Sequence, residues 1–470
     1  MEKITPQSQD FAQWYQDIVK EADLAENSEV RGCGIVKPYG YKMWDLIRNE
    51  LNSRIEKDGV ENLYFPIFLP LSNLEMEKDH IEGFAPELAV VTHGGGEELV
   101  NKLAVRPTSE AAMYSTYAKW IQSYKDLPMR YNQWANVVRW EKRPRPFLRW
   151  SEFQWQEGHT CFANKDEAVT EVAHMLEMYK DIFDWMAIPA ILGMKSEAEK
   201  FAGADTTYTV EVMAKDGKAI QGATSHYLGT HFAEVFGVKY QGQDGKEHLV
   251  HQNSWGMSWR TIGALIMVHG DDKGLRLPPN VAPFQIVIVP ITRDENKDKV
   301  LNYAKKLKEQ LGDYRVKIDD SAGSPGFKFN QWEMKGVPVR IEIGEREVDE
   351  DKLTVFRRDL GEKSVMTEAE FLSGVSDLMK SIHENLYSQA EKFMNSHIVR
   401  IESWEEIGDQ VGFFEASWCE SPESEKILKE KYSMVSRCLP KKYEGASPKS
   451  KKCFITGEEA KHDWYFAKSY

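Results

Sequence analysis

Arg139-Trp140-Glu141, a basic run over residues 142–148, then Arg149-Trp150-Ser151-Glu152-Phe153 make up the most informative stretch of this 470-residue chain. Between Arg139 and Arg149 there are five basic residues and one acidic one. The surrounding segment, residues 132–163, is rich in aromatics and reads as strand, basic loop, strand. Alternate side chains of a strand share a face, so Arg139 and Glu141 are expected to point the same way. A guanidinium fork suits a phosphate, and a carboxylate accepts from an adenine amino group. Phe153, with Glu152 beside it, offers a ring to stack on a purine. A solvated hairpin with a surface ion pair has the same residues, so this stretch alone leaves both readings open.

Outward from it, Asn164 reads as the cap of a helix through Met186, with Asp166 and Glu167 in the first turn. The stripe Met175, Leu176, Tyr179, Ile182, Phe183 is core packing. Residues 206–213 alternate as a strand, and Lys215-Asp216-Gly217-Lys218 turns it into a second. Asp244-Gly245 marks another hairpin. Upstream, helices are expected over residues 8–21 and 41–56, followed by an apolar strand over 62–69. Pro66 confines that strand to an edge or a bulge. This part is an antiparallel sheet with interspersed helices. After the Pro-rich linker 278–283 come an apolar run over 284–291, a helix over 295–311 and strands over 314–318, 337–343 and 353–357. A helix over 368–391 completes a compact α/β unit. The remainder, from Phe393, is mixed and aromatic-rich. The expectation is an α+β protein of three domains, residues 1–280, 284–391 and 393–470.

Composition excludes some classes. No apolar stretch approaches the roughly 18 residues of a membrane span, and residues 1–18 show no basic region leading into an apolar core, so neither a membrane nor a secretory role is expected. Five cysteines make no disulfide framework and fit a reducing cytoplasm. The net charge of −14 argues against indiscriminate nucleic-acid binding. Basic residues are nevertheless grouped, with 12 Lys and Arg against 10 Asp and Glu over residues 284–346, and five against one over 441–452.

Arg-x-Glu, a basic loop, then Arg and Phe four apart resembles motif 2 of the class II aminoacyl-tRNA synthetases. Residues 59–68, passing from helix to strand with Pro66, look like motif 1, which in that family builds a dimer interface. Gly256-Met257-Ser258-Trp259-Arg260-Thr261-Ile262-Gly263-Ala264-Leu265 looks like motif 3. The segments Arg106-Pro107-Thr108-Ser109-Glu110, Trp155-Gln156-Glu157-Gly158-His159, Gln221-Gly222-Ala223-Thr224-Ser225-His226 and His269-Gly270-Asp271-Asp272 are similar to prolyl-tRNA synthetases of the archaeal and eukaryote-like type. Phe327-Lys328-Phe329-Asn330, Trp332-Glu333 and Lys335-Gly336-Val337-Pro338 resemble that family's anticodon-binding domain, and Lys468-Ser469-Tyr470 its aromatic terminus.

The resemblance implies a class II antiparallel sheet with flanking helices, an α/β anticodon-binding domain and a small α+β C-terminal domain. It implies attachment of L-proline to tRNA(Pro) by way of prolyl-adenylate, with Mg²⁺-ATP, in a cytoplasmic homodimer. Arg139 and Arg260 would be catalytic. ATP would lie against Arg139, Glu141, Arg149, Phe153, Gln221, Thr224, Ser258 and Arg260. Proline would lie among Thr108, Glu110, Arg139, Trp155, Glu157, His159, Phe201 and His226. Phe327, Lys328, Asn330 and Glu333 would meet tRNA. Threonyl relatives bind zinc through a His at the place of His159, but they also need a Cys where this chain has Thr108-Ser109-Glu110, so no catalytic metal is expected. A paralogue acting on another acceptor, or a non-catalytic tRNA-binding regulator, are the alternatives. The anticodon-like segment counts against the first, and the set Arg139, Glu141, Phe153 and Arg260 against the second.

Two departures stand out. In the C-terminal segment Cys419 and Cys453 occupy ligand-like positions of a four-cysteine zinc site, but Ser424 and Thr456 stand near the other two, and Cys438 is out of spacing. No structural zinc is expected. Only about 95 residues separate His159 from Ser254, too few for the inserted editing domain of bacterial-type relatives. His93-Gly94-Gly95-Gly96, which resembles a phosphate or oxyanion loop, is read as a flexible loop because no nucleophile motif accompanies it.

Overall fold

The computed structural model describes residues 4–76 and 87–470. Its centre is an eleven-stranded sheet. From one edge to the other the strands are Ile398–Arg400, Phe413–Trp418, His462–Ala467, Val435–Pro440, Ile191–Met194, Thr206–Met213, Ala219–Gly229, His251–Ser258, Glu152–Phe162, Met129–Val138 and Glu61–Asn62. Neighbours run antiparallel except for the pair at each edge. Helix Lys165–Trp185 packs on one face, and Asn164 caps it by accepting from the Glu167 amide. Its stripe Met175, Leu176, Tyr179, Ile182 and Phe183 is buried with Val210, Val212 and Ile220 of the sheet. Each such side chain contributes about 1.5–3 kcal/mol through burial. Helices Phe11–Glu21, Pro38–Lys57 and Arg260–His269 close the same core. With the sheet's opposite face left free of these helices, there is room for a site.

A second sheet has the order Val316–Ile318, Ile286–Pro290, Val339–Ile343, Lys352–Arg357, Glu362–Thr367. Its first three strands are parallel and its last two antiparallel. Helices Lys297–Gln310, Pro325–Met334 and Glu368–Ser396 accompany it. The C-terminal residues have a small core of their own around Trp418, Trp464 and Phe466. Their strand Val435–Pro440 also pairs with Ile191–Met194, so the central sheet runs on into this segment.

Several expectations need correction. Residues 62–69 are not one strand. Pairing stops at Asn62 and resumes at Phe68, on either side of Pro66, which has no N–H to give a ladder. Strand Glu362–Thr367 was not foreseen, since it is an edge strand with four consecutive exposed residues and no apolar alternation. The last long helix continues five residues further, to Ser396. His93-Gly94-Gly95-Gly96 is a tight hairpin rather than a loose loop. Gly95 and Gly96 have φ of 61° and 90°, the left-handed pair a two-residue hairpin turn requires.

Candidate active site

On strand Glu152–Phe162 the residues Phe153, Trp155, Glu157 and His159 alternate and so share one face. Next to it, Ser254, Gly256 and Ser258 alternate on His251–Ser258, and Thr224 and His226 on Ala219–Gly229. Gln221 is out of phase with that last series. A bulge brings it back, because Val210 faces Ala223 and Glu211 faces Gln221, leaving Gly222 as the extra residue. Gly222 is forced by packing, since a Cβ there would lie 2.4 Å from the Phe183 ring. Thr108 and Ser109 lead into helix Glu110–Trp120, whose N-terminus favours the Glu110 carboxylate.

These elements enclose a cavity of about 230 Å³. It is lined by Thr108, Glu110, Arg139, Trp155, Glu157, His159, Phe201, Gln221, Thr224 and His226, together with Glu199, Thr207, Ser254, Trp255 and Gly256. All eight residues expected at proline are therefore gathered in one place. Glu199, Thr207, Ser254, Trp255 and Gly256 were missed. Gly256 and Ser254 were within reach of sequence reasoning, by stepping back two and four residues from Ser258 along its strand. Trp155 Nε1 and Ser254 Oγ are buried without a hydrogen-bond partner among the described residues, as expected of walls that await a polar ligand.

At the carboxylate end, Glu157 accepts from the Ser109 amide at 3.1 Å and from Gln133 Nε2 at 2.9 Å, and it also accepts from the Ser109 hydroxyl. His159 Nε2 lies 3.2 Å from Glu157, and its Nδ1 lies 3.2 Å from the Tyr114 hydroxyl. Burial depresses the His159 pKa, but the hydrogen bond to Glu157 and the charges of Glu110 and Glu157 outweigh it and leave it raised. The Thr108 hydroxyl donates to Glu110. Glu110, Glu157 and His159 are close enough together to hold a metal ion. The Glu157 oxygens are already engaged by three donors, however, and the site lacks the thiolate of the zinc-binding relatives. His226 differs from His159: burial pushes its pKa down to about 4, so it is neutral at pH 7. It shares a 2.9 Å hydrogen bond with Thr207 and lies 4.7 Å from the Phe201 ring, centroid to centroid.

The cationic end is built by the loop that joins the two long strands. Regular pairing stops at Val138, but the Arg139 amide still donates to Ser151 O at 2.7 Å and the Glu141 amide to Ser151 Oγ at 3.1 Å, which prolongs the hairpin stem. Arg139 Nε donates to Pro107 O at 3.0 Å, and its guanidinium lies 5.5 Å from the Phe153 ring and 5.2 Å from Trp155. Arg260 Nε donates to Leu148 O at 3.1 Å. Burial, then the charges of Arg139 and Arg149, bring the Arg260 pKa down to about 10. Three guanidiniums thus repel one another, an arrangement a polyphosphate relieves. Glu141, Arg149, Phe153, Ser258 and Arg260 lie outside the cavity wall itself. Arg149 lines a smaller recess with Arg143, Arg145, Lys218 and Tyr470.

The residues expected at tRNA do not share a face. All four lie on helix Pro325–Met334, where Phe327 is half exposed and Asn330 exposed. Lys328 is only 5% exposed and donates to Asp319 O at 3.0 Å, so its charge serves the domain's own fold. Glu333 lies 3.4 Å from Lys273 of the central unit. In the C-terminal segment, Cys419 Sγ lies 3.7 Å from Thr456 Oγ1 and 3.9 Å from Ser424 Oγ, which gathers the positions singled out from sequence. Cys438 is buried elsewhere, beside Gly193.

Three family descriptions match the chain. They are "tRNA synthetase class II core domain (G, H, P, S and T)" over residues 94–269, "Anticodon binding domain" over 285–378 and "Prolyl-tRNA synthetase, C-terminal" over 401–470. Curated relatives named proline–tRNA ligase from Oceanobacillus iheyensis and Lachnoclostridium phytofermentans are each 47% identical over 475 residues, covering 100% of this chain and 98% of theirs. One named proline–tRNA ligase 2, from Bacillus cereus, is 45% identical over 476 residues, covering 100% of this chain and 99% of its own.

Proposed function

The chain belongs to the proline–tRNA ligases, a family of class II aminoacyl-tRNA synthetases, and from that premise we propose how its own residues divide the work. The enzyme activates L-proline with ATP to prolyl-adenylate, releasing pyrophosphate, and then transfers the prolyl group to the 3′ end of tRNA(Pro). The observation that carries the division of labour is the single cavity holding the carboxylates Glu110 and Glu157, with Glu199 also in its wall, together with the Arg139 guanidinium. A zwitterion with an apolar ring matches it. Its ammonium goes to the carboxylates, its carboxylate to Arg139, and its ring to Trp155, Phe201 and neutral His226.

In the first step one proline carboxylate oxygen bonds to the α-phosphorus of ATP, the α–β anhydride bond breaks, and pyrophosphate leaves. A carboxylate is ionised at pH 7, so no general base is needed, and catalysis rests on positioning and charge. Arg139 holds the α-phosphate and the carboxylate, while Arg149 and Arg260 hold the outer phosphates. Glu141 and Phe153 take adenine, and Gln221, Thr224 and Ser258 line the nucleotide path. Mg²⁺ travels with ATP, whose phosphates supply ligands, and adds neutralising charge there. In the second step the terminal ribose hydroxyl attacks the prolyl carbonyl, AMP leaves, and the adenylate phosphate accepts the proton.

Exposed Phe327 and Asn330 are the residues we place against tRNA, with Lys328 and Glu333 supporting their helix. We take residues 1–280, 284–391 and 393–470 as the three functional units. Dimerisation is assigned to the motif 1 region, where Tyr64 is 72% and Phe68 51% exposed on the isolated chain. Among the described residues no helix is long and apolar enough to cross a membrane, and five free thiols suit the cytoplasm, where we place the reaction. The test is ATP–pyrophosphate exchange with proline, alanine, threonine and cysteine. Exchange is expected to be fastest with proline. Folded protein that binds tRNA yet exchanges with none of them would return the reading to a non-catalytic binder.

Residues 160–253 fold as helix Lys165–Trp185, strand Ile191–Met194, two hairpins, a short helix and their connections. Strands Ile191–Met194, Thr206–Met213 and Ala219–Gly229 are part of the central sheet itself. A pocket shaped for proline rejects smaller alanine by only about 1–3 kcal/mol per missing methylene. Slow alanine activation is therefore expected, with no hydrolysis of Ala-tRNA(Pro) by the purified enzyme. Deacylation of that tRNA by the enzyme alone would overturn this.

Zinc does not fit the C-terminal segment. Ser424 Oγ is already engaged by Trp418 Nε1 and Ser421 O, both at 2.7 Å, leaving two thiols where a structural site needs four strong ligands. Metal analysis is expected to find far less than one zinc per chain, and chelator to leave the unfolding midpoint unchanged.

A further inference from the structure

Glu211 is fully buried and takes four donors from three parts of the chain. Its Oε1 accepts from Lys195 Nζ at 2.8 Å and Thr209 Oγ1 at 2.9 Å. Its Oε2 accepts from Arg437 Nε at 3.0 Å and Nη2 at 2.7 Å, the two-pronged geometry a guanidinium provides. Arg437 comes from the C-terminal segment, 226 residues away, on the strand that extends the central sheet beside Ile191–Met194. Glu211 stands at the bulge, directly opposite Gln221. Without the bulge Gln221 would face the packed helix Lys165–Trp185, and with it Gln221 lines the cavity. The charges of Lys195 and Arg437 also act on Glu199 of the cavity wall, and that of Arg437 on Arg260.

We propose that Arg437, acting through Glu211, is a positioning residue that fixes the bulge aiming Gln221 at the nucleotide, which makes the C-terminal segment part of the amino-acid activation step. This rests on the reading of Gln221 as a nucleotide contact. A clamp that acts on Gln221 affects ATP and spares proline, whose charged partners Glu110, Glu157 and Arg139 stand on other elements.

The experiment is proline-dependent exchange by the full-length enzyme, with active sites titrated and KM measured separately for ATP and for proline. Arg437→Met is expected to raise KM for ATP roughly tenfold or more and to leave KM for proline within about twofold. Arg437→Lys, which keeps the charge and one donor, recovers part of the loss. Glu211→Gln shows the same split, and it supplies the reading if the Met variant is not recovered folded. Combining Arg437→Met with Gln221→Ala adds little to the larger single effect, because one acts through the other. Additive effects, equal changes in both KM values, or a fall only in titrated active sites would overturn the proposal. If Gln221→Ala alone leaves KM for ATP unchanged, the nucleotide role of Gln221 fails and takes the positioning role with it. If Gln221→Ala raises it while the Arg437 variants do not, only the role of Arg437 fails.

Discussion

Arg139→Ala is expected to lower proline-dependent ATP–pyrophosphate exchange by about 10³-fold or more, corresponding to ~4 kcal/mol of lost transition-state stabilisation. Among the described residues Arg139 is the one Arg or Lys in the wall of the proline cavity, and its charge also reaches Arg260 at the phosphate end. Its place is set before any ligand arrives, since Nε is held by Pro107 O and the guanidinium lies against Phe153 and Trp155. A donor fixed in advance does not reorganise as charge builds on the phosphoryl oxygens. Arg139→Lys should recover little, because an ammonium lacks the planar fork that bonds Pro107 O through Nε while its two outer nitrogens span two acceptors. Exchange measured at saturating ATP and proline, with circular dichroism as the check on folding, decides the matter. A loss below tenfold for the alanine variant would show that the other arginines carry the charge.

What could be read from sequence was what local chemistry fixes. Asn164 announced its helix because an Asn side chain caps the third amide after it, and Asp216-Gly217 announced a hairpin because glycine takes positive φ there at no steric cost. The proline site was legible through resemblance, because the segments 106–110, 155–159 and 221–226 are similar to prolyl-tRNA synthetases, and the alternation of Trp155, Glu157 and His159 puts that part on one face. Non-local partnerships were not legible. Glu199 and Thr207 face the cavity only once segments far apart in sequence come together. Lys328 looks like a tRNA contact until its helix is seen to turn the ammonium onto Asp319 O. Arg437 carried no signal in the sequence, although it bonds a carboxylate of the central hairpin. The edge strand Glu362–Thr367 escaped because both its faces are largely wet, which removes the alternation that marks a half-buried strand.

The same local logic makes Glu157→Gln informative at the other end of the cavity. The carboxylate is an acceptor on both oxygens, and the Ser109 amide, the Ser109 hydroxyl and Gln133 Nε2 all donate to it. A glutamine amide must turn its NH₂ toward one of those donors, so a hydrogen bond is lost and two N–H groups oppose each other. The proline ammonium is then left with Glu110 and Glu199 as the remaining carboxylates of the cavity wall. Removing one member of a buried charge pair costs about 2–5 kcal/mol. The expected result is a fall in kcat/KM for proline of about 10²–10³-fold, with KM for ATP changed by less than about threefold. A parallel loss for both substrates would place Glu157 in support of the whole fold instead. His159 gives a second readout. Despite burial its pKa is raised, by the Glu157 hydrogen bond and the charges of Glu110 and Glu157. Its protonated form therefore stabilises the native state fully below its unfolded pKa of about 6.5, and this contribution is lost as pH rises through the raised value. In Glu157→Gln most of that dependence should vanish. Unfolding free energies of the two proteins, compared from pH 6 upward, should differ most at the acid end and converge toward high pH, once desolvation and packing changes common to all pH values are subtracted.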